Sequence, residues 1–287
     1  MDPTIKDIIV NDTERNETGT ALPTIDHWVD DARWAGNGER FGDVFDPARG
    51  EVAARVRLAS SDDVDTVVLS ARRAHVGWRE TSLSRRSAVL FAFREALMRR
   101  ADELAAVISA QHGKVRSDAA GELQRGIEVV EFACGIPTLL AGAHSEGAST
   151  HVDVTTIRQS VGVTVGITPF NFPAMVPLWM CPVAIACGNS FILKPSERDP
   201  GASMILAESW AEAGLPMGAV SWATEAGTSS PTAGPPRPPA TIPTAGLIAS
   251  ATGTPIATAA TAATSSRRPV ISVTAIPIIA AGKMTSI

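Results

Sequence analysis

Cysteine is scarce in this chain of 287 residues: Cys134, Cys181 and Cys187 are the whole supply, and no two form a CxxC pair. That excludes a disulfide framework, offers no metal-ligand set, and leaves a reducing cytoplasm as the default compartment. Charge is also sparse. Only 19% of residues are charged and the net charge is −5, so nucleic acid and anionic membrane surfaces are not expected partners. Long apolar runs are missing too. The longest weakly polar stretch, Ala174 to Gly188, is too short to span a bilayer and contains Pro177 and Pro182. The first twenty residues scatter their charges and hold no apolar core, so no secretory leader is expected there. What remains is a soluble cytoplasmic protein, long enough for one large or two ordinary domains.

The last quarter lacks more. From Ser221 onward there is no Phe, Asp, Asn, Gln or His, and 49 of 67 residues are Ala, Thr, Pro, Ser or Gly. Such a composition offers little side-chain surface to set against chain entropy. Residues 221–287 are therefore expected to form a low-complexity, disordered tail, with "PVISVTAIPIIAA" (269–281) as one possible strand. Residues 1–20 are expected to be an extension, and 21–220 the folded domain.

Within 21–220 the patterns are those of an α/β protein. "FDPARGEVAARVRLA" (45–59) reads as a turn and a strand. Ser60 or Ser61 then caps a helix with Asp62 and Asp63 in its first turn and Val64, Val67, Val68 and Ala71 as its buried stripe. One long helix is expected over 84–111, with Leu90, Phe93, Leu97, Leu104, Val107 and Ile108 inward and Arg94, Arg99, Arg100 and Glu103 outward. Gly113 ends it. A further helix is expected over 118–140, and two strands over 151–167.

The chemistry concentrates after that. Val163–Ile167 reads as a buried strand, "TPFNFP" as its exit turn, and Ala174–Cys187 as a helix interrupted by prolines. "NSFILKP" is a second strand and "DPGASMILAESWAEAG" a second helix, with Gly214 beyond its end. The alternation argues for parallel strands with right-handed crossovers, whose carboxyl ends bind ligands. The two ends here carry "TPFN" and "LKPSER". The glycine-rich dinucleotide fingerprint is absent from both. From the residues alone, Asn171 could equally cap the helix that follows, and Lys194 to Glu197 could be an ordinary strand exit. His112 and Lys114 read as a helix end, and Trp179 and Met180 as core.

"ITPFNFPAMVPLWMCPVAIACGNSFILKPSERDP" (167–200) resembles the NAD-dependent aldehyde dehydrogenase superfamily, and within it the CoA-acylating methylmalonate-semialdehyde branch. "FDPARGEV", "RRSAVLFAFREAL", "QHGKVRSDAAGE", "EVVEFACGIP" and "DVTTIRQSVGV" fit the same branch, so the likeness covers about residues 20–220. It implies an aldehyde dehydrogenase-like α/β fold whose Rossmann-like NAD-binding domain is truncated before the catalytic domain. Asn171 becomes a side-chain donor to the oxyanion formed when a thiolate attacks the aldehyde, strengthened by a dry, apolar turn. Phe170 and the backbone at Thr168 line the nicotinamide side of the cofactor. Lys194 and Glu197 hold the adenosine ribose, with Arg198 beside them, and the carboxylate of Glu197 selects NAD over NADP. Coenzyme A is implied as co-substrate and a small aldehyde as substrate. The family is homo-oligomeric, and the C-terminal strand it uses for this is not found here.

The nucleophile is not found either. The family's cysteine falls downstream of anything matched, the tail has none, and the three cysteines present sit in apolar surroundings where thiols are inert. "GTPIA" (253–257) echoes a family motif with one residue lost. Two functions stay open: oxidation of methylmalonate or malonate semialdehyde to propionyl-CoA or acetyl-CoA, or a truncated or frameshifted remnant that binds the nucleotide weakly, at about millimolar affinity. Another aldehyde dehydrogenase branch is a third reading.

Overall fold

The computed structural model describes residues 21–224 and, beyond them, the backbone of two short strands, β1 (Glu14–Arg15) and β13 (Val270–Val273). β1 pairs with β2 (Ala21–Leu22). The centre is a five-stranded sheet in the order β10 (Val163–Ile167), β11 (Ser190–Lys194), β12 (Val220–Trp222), β4 (His27–Val29), β5 (Ala32–Trp34). β10, β11 and β12 run parallel, and β4 joins antiparallel to β12. β11 shows why such strands are apolar throughout: Phe191 and Leu193 enter the main core while Ile192 enters a second cluster on the other face.

Helix α1 (Ser61–Trp78) covers that second face with Val67 and Ala71. It starts at a complete capping box, with Ser60 as N-cap and Asp63 at N3. Val64, expected in the buried stripe, is exposed. The main face is covered by α6 (Met175–Ala186) and α7 (Gly201–Glu212), backed by α2 (Leu83–Arg99), α3 (Ala101–His112) and α4 (Arg116–Cys134). In this layer Phe93 stacks on Trp210 at 3.6 Å, and Trp78 Nε1 donates to the Ile185 carbonyl at 2.8 Å. A second sheet, β3 (Thr24–Ile25), β7 (Glu51–Leu58) and β6 (Arg40–Asp46), lies beside α3. A third joins β8 (Ala143–Ser149), β9 (Val152–Thr156) and β13.

Several expectations need correction. The single helix over 84–111 is two. Arg100 (φ −96°, ψ 13°) bends the chain, although its N–H still reaches Ala96 and its carbonyl still accepts from Leu104. Its guanidinium, expected outside, is fastened to Glu103 and to Glu208 on α7. The helix over 118–140 stops at Cys134, and a short α5 (Ile136–Leu139) follows. The prolines do not interrupt α6. Pro177 lies in the first turn, where an N–H has no partner to lose, and Pro182 is held by packing. β10 is not a buried strand but the edge of its sheet, with Val165 49% and Ile167 73% exposed. The compositional boundary at 220/221 falls inside β12, where Ser221 and Trp222 are buried. The short strand expected within 269–281 corresponds to β13, while the expectations of disorder and the "GTPIA" echo concern residues outside those described.

Candidate functional site

β10 and β11 are in register, with Ile167 opposite Lys194, so the two strands end side by side. The Thr168 N–H continues the ladder by donating to the Lys194 carbonyl at 3.1 Å. Two motifs whose strands pair residues 27 apart therefore leave the sheet at one edge. Lys194 Nζ donates to Glu197 Oε2 at 3.4 Å, both side chains only partly covered. An ammonium and a carboxylate next to each other at a strand end are a donor and an acceptor, which suits a vicinal diol. The Arg198 N–H donates to Ser196 Oγ at 3.1 Å, and its guanidinium carbon lies 4.9 Å from the centroid of the Phe170 ring. The His112 ring stacks near the same phenyl, 6.3 Å away and tilted by 25°. Thr168, Phe170, Lys194, Glu197 and Arg198 are thus brought together at one sheet edge.

Asn171 is on the rim of an open cleft of about 480 Å³, opposite His112, Lys114, Asp118 and Arg125. The expected dry turn is not what surrounds it. Asn171 is exposed, and Pro173, Ala174 and Met175 are the members of the turn that go into the core. Nor does it cap α6: the N-cap position is Ala174, with no side-chain cap of its own. No described residue takes up the Asn171 amide. The cap comes from α4 instead, where the fully buried Glu122 accepts from the Ala174 and Met175 N–H groups at 2.9 and 3.1 Å. Its other oxygen meets Lys114 Nζ at 2.6 Å, and Lys114 also donates to the Asn171 carbonyl at 3.0 Å. Lys114, read from the sequence as a helix end, is part of this cluster. Gly113, the left-handed residue after α3 (φ 88°), turns the chain so that it arrives there.

Asp199 lies buried nearby with no partner for either oxygen. Burial, with Glu122 adding to it against the pull of Lys114 and Arg198, pushes its carboxyl up to about 8. Burial also lowers His112 below the usual imidazole range, helped by the Lys114 charge. The three thiols are all pushed up, chiefly by burial, Cys134 to about 11. None is an activated nucleophile. Trp179, expected in the core, is 41% exposed on α6. Among the described residues no His, Cys, Asp and Glu cluster could hold a metal, and no helix is long and apolar enough to cross a membrane.

Three parallel strands with two turns side by side at their carboxyl ends are the place where open α/β sheets bind ligands. The sequence profile described as "Aldehyde dehydrogenase family" matches residues 34–233, and the chain belongs to that family. It is 47% identical over 197 residues to malonate-semialdehyde dehydrogenase of Pseudomonas aeruginosa, covering 69% of this chain and 39% of that one. To the mitochondrial methylmalonate-semialdehyde dehydrogenase (acylating) of Arabidopsis thaliana it is 49% identical over 178 residues, 62% of this chain and 29% of the relative. A crystal structure of a putative methylmalonate-semialdehyde dehydrogenase from Sinorhizobium meliloti 1021, complexed with NAD, superposes with a TM-score of 0.71 at 46% identity. That match covers 72% of this chain and 42% of the other. The chain spans about two fifths or less of the length of the relatives it matches.

Proposed function

We propose that this chain carries the NAD-binding and oxyanion-donating parts of a CoA-acylating malonate- or methylmalonate-semialdehyde dehydrogenase. The observation that supports this reading is the in-register parallel pairing of β10 and β11, which ends "TPFN" beside "LKPSER". The residues present fit a dinucleotide. Lys194 donates to and Glu197 accepts from the adenosine ribose hydroxyls, and the Glu197 carboxylate repels a 2′-phosphate. Phe170 and the Thr168 backbone face the other end of the cofactor, with Arg198 beside the ring. NAD, when bound, accepts the electron pair that the aldehyde carbon gives up. The Asn171 amide donates an N–H to the carbonyl oxygen as negative charge develops on it. Arg125, whose Nε is on the Gly121 carbonyl, lines the same cleft as Asn171 and forms no ion pair with a described residue. Its guanidinium is a counter-ion for the carboxylate of a semialdehyde acid. The acylating relative supports coenzyme A as the acceptor of the acyl group.

A second reading, binding of the dinucleotide without oxidation, is favoured by the three thiols, all with raised pKa values. Both readings meet in one pair of measurements. Calorimetry should find NAD bound in preference to NADP, with Glu197→Ala reducing that preference by roughly tenfold. Mixing the chain with malonate semialdehyde, NAD and coenzyme A should form no NADH, because covalent catalysis needs an activated thiolate. NADH formation that disappears on mutating Cys134, Cys181 or Cys187 would select the first reading over the second. Equal affinity for NAD and NADP, indifferent to Glu197, would sink both.

A further inference from the structure

The turn that bears Asn171 is held at both ends by one buried ion pair. At its start, Lys114 Nζ donates to the Asn171 carbonyl at 3.0 Å. At its finish, Glu122 Oε1 accepts from the N–H groups of Ala174 and Met175. The two clamps are joined at 2.6 Å, with the side chain of Lys114 11% and that of Glu122 0% exposed. The Phe172 ring, between the clamped positions, lies 4.8 Å from Lys114 Nζ. The N-terminus of α6 gains a carboxylate where its dipole favours one, although the local sequence supplies no capping side chain. Helix capping alone would be served by a serine or aspartate at position 174. Glu122 is tied instead to a lysine that reaches the residue bearing the free amide.

We propose that Lys114 and Glu122 are positioning residues, a charged strut that fixes the Asn171 turn against the cofactor and the cleft. This rests on the reading of that turn as the one facing the nicotinamide end of NAD. Because both charges are buried, removing either leaves the other uncompensated and frees the turn. The adenosine end, on Lys194 and Glu197, touches neither residue and is left as it was.

Titrating NAD and ADP-ribose into the 287-residue chain separates the two ends, since ADP-ribose lacks the nicotinamide ring. Lys114→Met should weaken NAD by roughly tenfold or more and leave ADP-ribose within about twofold. Lys114→Arg, which keeps the charge and the donors, should restore most of the loss, and Glu122→Gln should behave like Lys114→Met. Loss of both compounds together, or of neither, overturns the proposal. If the unaltered chain binds neither compound, the dinucleotide reading fails, and hydrogen exchange decides the strut. Faster exchange at Ala174 and Met175 in Lys114→Met, with the amides of α1 unchanged, supports it. Unchanged exchange at those two amides refutes it.

Discussion

Asp199 and Asp63 are both buried carboxyls, and their surroundings drive them in opposite directions. Burial acts to raise Asp63, but the backbone N–H groups of Ser60, Asn37 and Gly38 and the Ser60 hydroxyl outweigh it and hold the group below its usual range. Its stabilising contribution is present above about pH 4 and fades as the pH falls. Asp199 has no donor, so burial first and Glu122 second keep it protonated until about 8. In the unfolded chain it would ionise near pH 4. Between those values the folded state holds a proton that the unfolded state has released, so Asp199 costs more stability as the pH rises from about 4 to about 8. Asp199→Asn, neutral at every pH, should therefore raise the unfolding free energy from urea titration at pH 8 by an amount on the order of a few kcal/mol and change it little at pH 4. An equal gain at both pH values would show that titration is not the cause. In the sequence, Asp199 opens the stretch read as a helix, "DPGASMILAESWAEAG". What makes Asp199 unusual is burial without a donor, with Glu122 of another helix second, and no local pattern records either.

Among the elements, α4 does the most to shape the site, and Gly126 is the reason it can. A Cβ there would meet Leu178 Cδ1 of α6 at 2.5 Å, so the bare backbone lets the two helices approach. Glu122 is one turn earlier on the same face of α4 and is thereby delivered to the start of α6. Ala is a better helix former than Gly by about 1 kcal/mol, so helix propensity alone would make Gly126→Ala stabilising. The expected result is the reverse, a loss of about 1–3 kcal/mol in chemical denaturation from overpacking against Leu178. Helices such as α1 and α4 were legible because apolar residues recur at helical spacing. The bend at Arg100 was not, since no Gly or Pro marks it and one partner of its side chain, Glu208, is far along the chain. β8 was also invisible: every residue of "AHSEGAS" is exposed, so no alternation exists to be read. At the site, the two strand ends were legible as local features, whereas it was the family resemblance that singled out Asn171, Lys194 and Glu197 on them. Lys114 and Glu122 were missed. The one available clue was negative, a helix beginning at Pro173-Ala174 without any capping side chain.

For the described residues as a whole, the joint between β4 and β12 matters most. Trp28 on β4 pairs with Trp222 on β12, and the His27 ring meets the Trp222 indole edge-on at 6.4 Å. Around this joint Arg33 on β5 is bound to Glu208 on α7 at 3.0 Å. Trp222 is almost wholly buried, so Trp222→Ala should cost about 3–5 kcal/mol in urea unfolding. A loss below about 1 kcal/mol would mean that β12 is dispensable to the sheet. The same joint sets an order of events during synthesis. Trp28 is joined to the chain almost two hundred residues before Trp222 is. At about 5–20 residues per second, that is a wait of roughly ten to forty seconds. The helices from 61 to 134 can gather in that interval, but the early hairpin has no sheet to join. A nascent chain stalled before position 220 keeps Trp28 and His27 in water, where a chaperone can grip them.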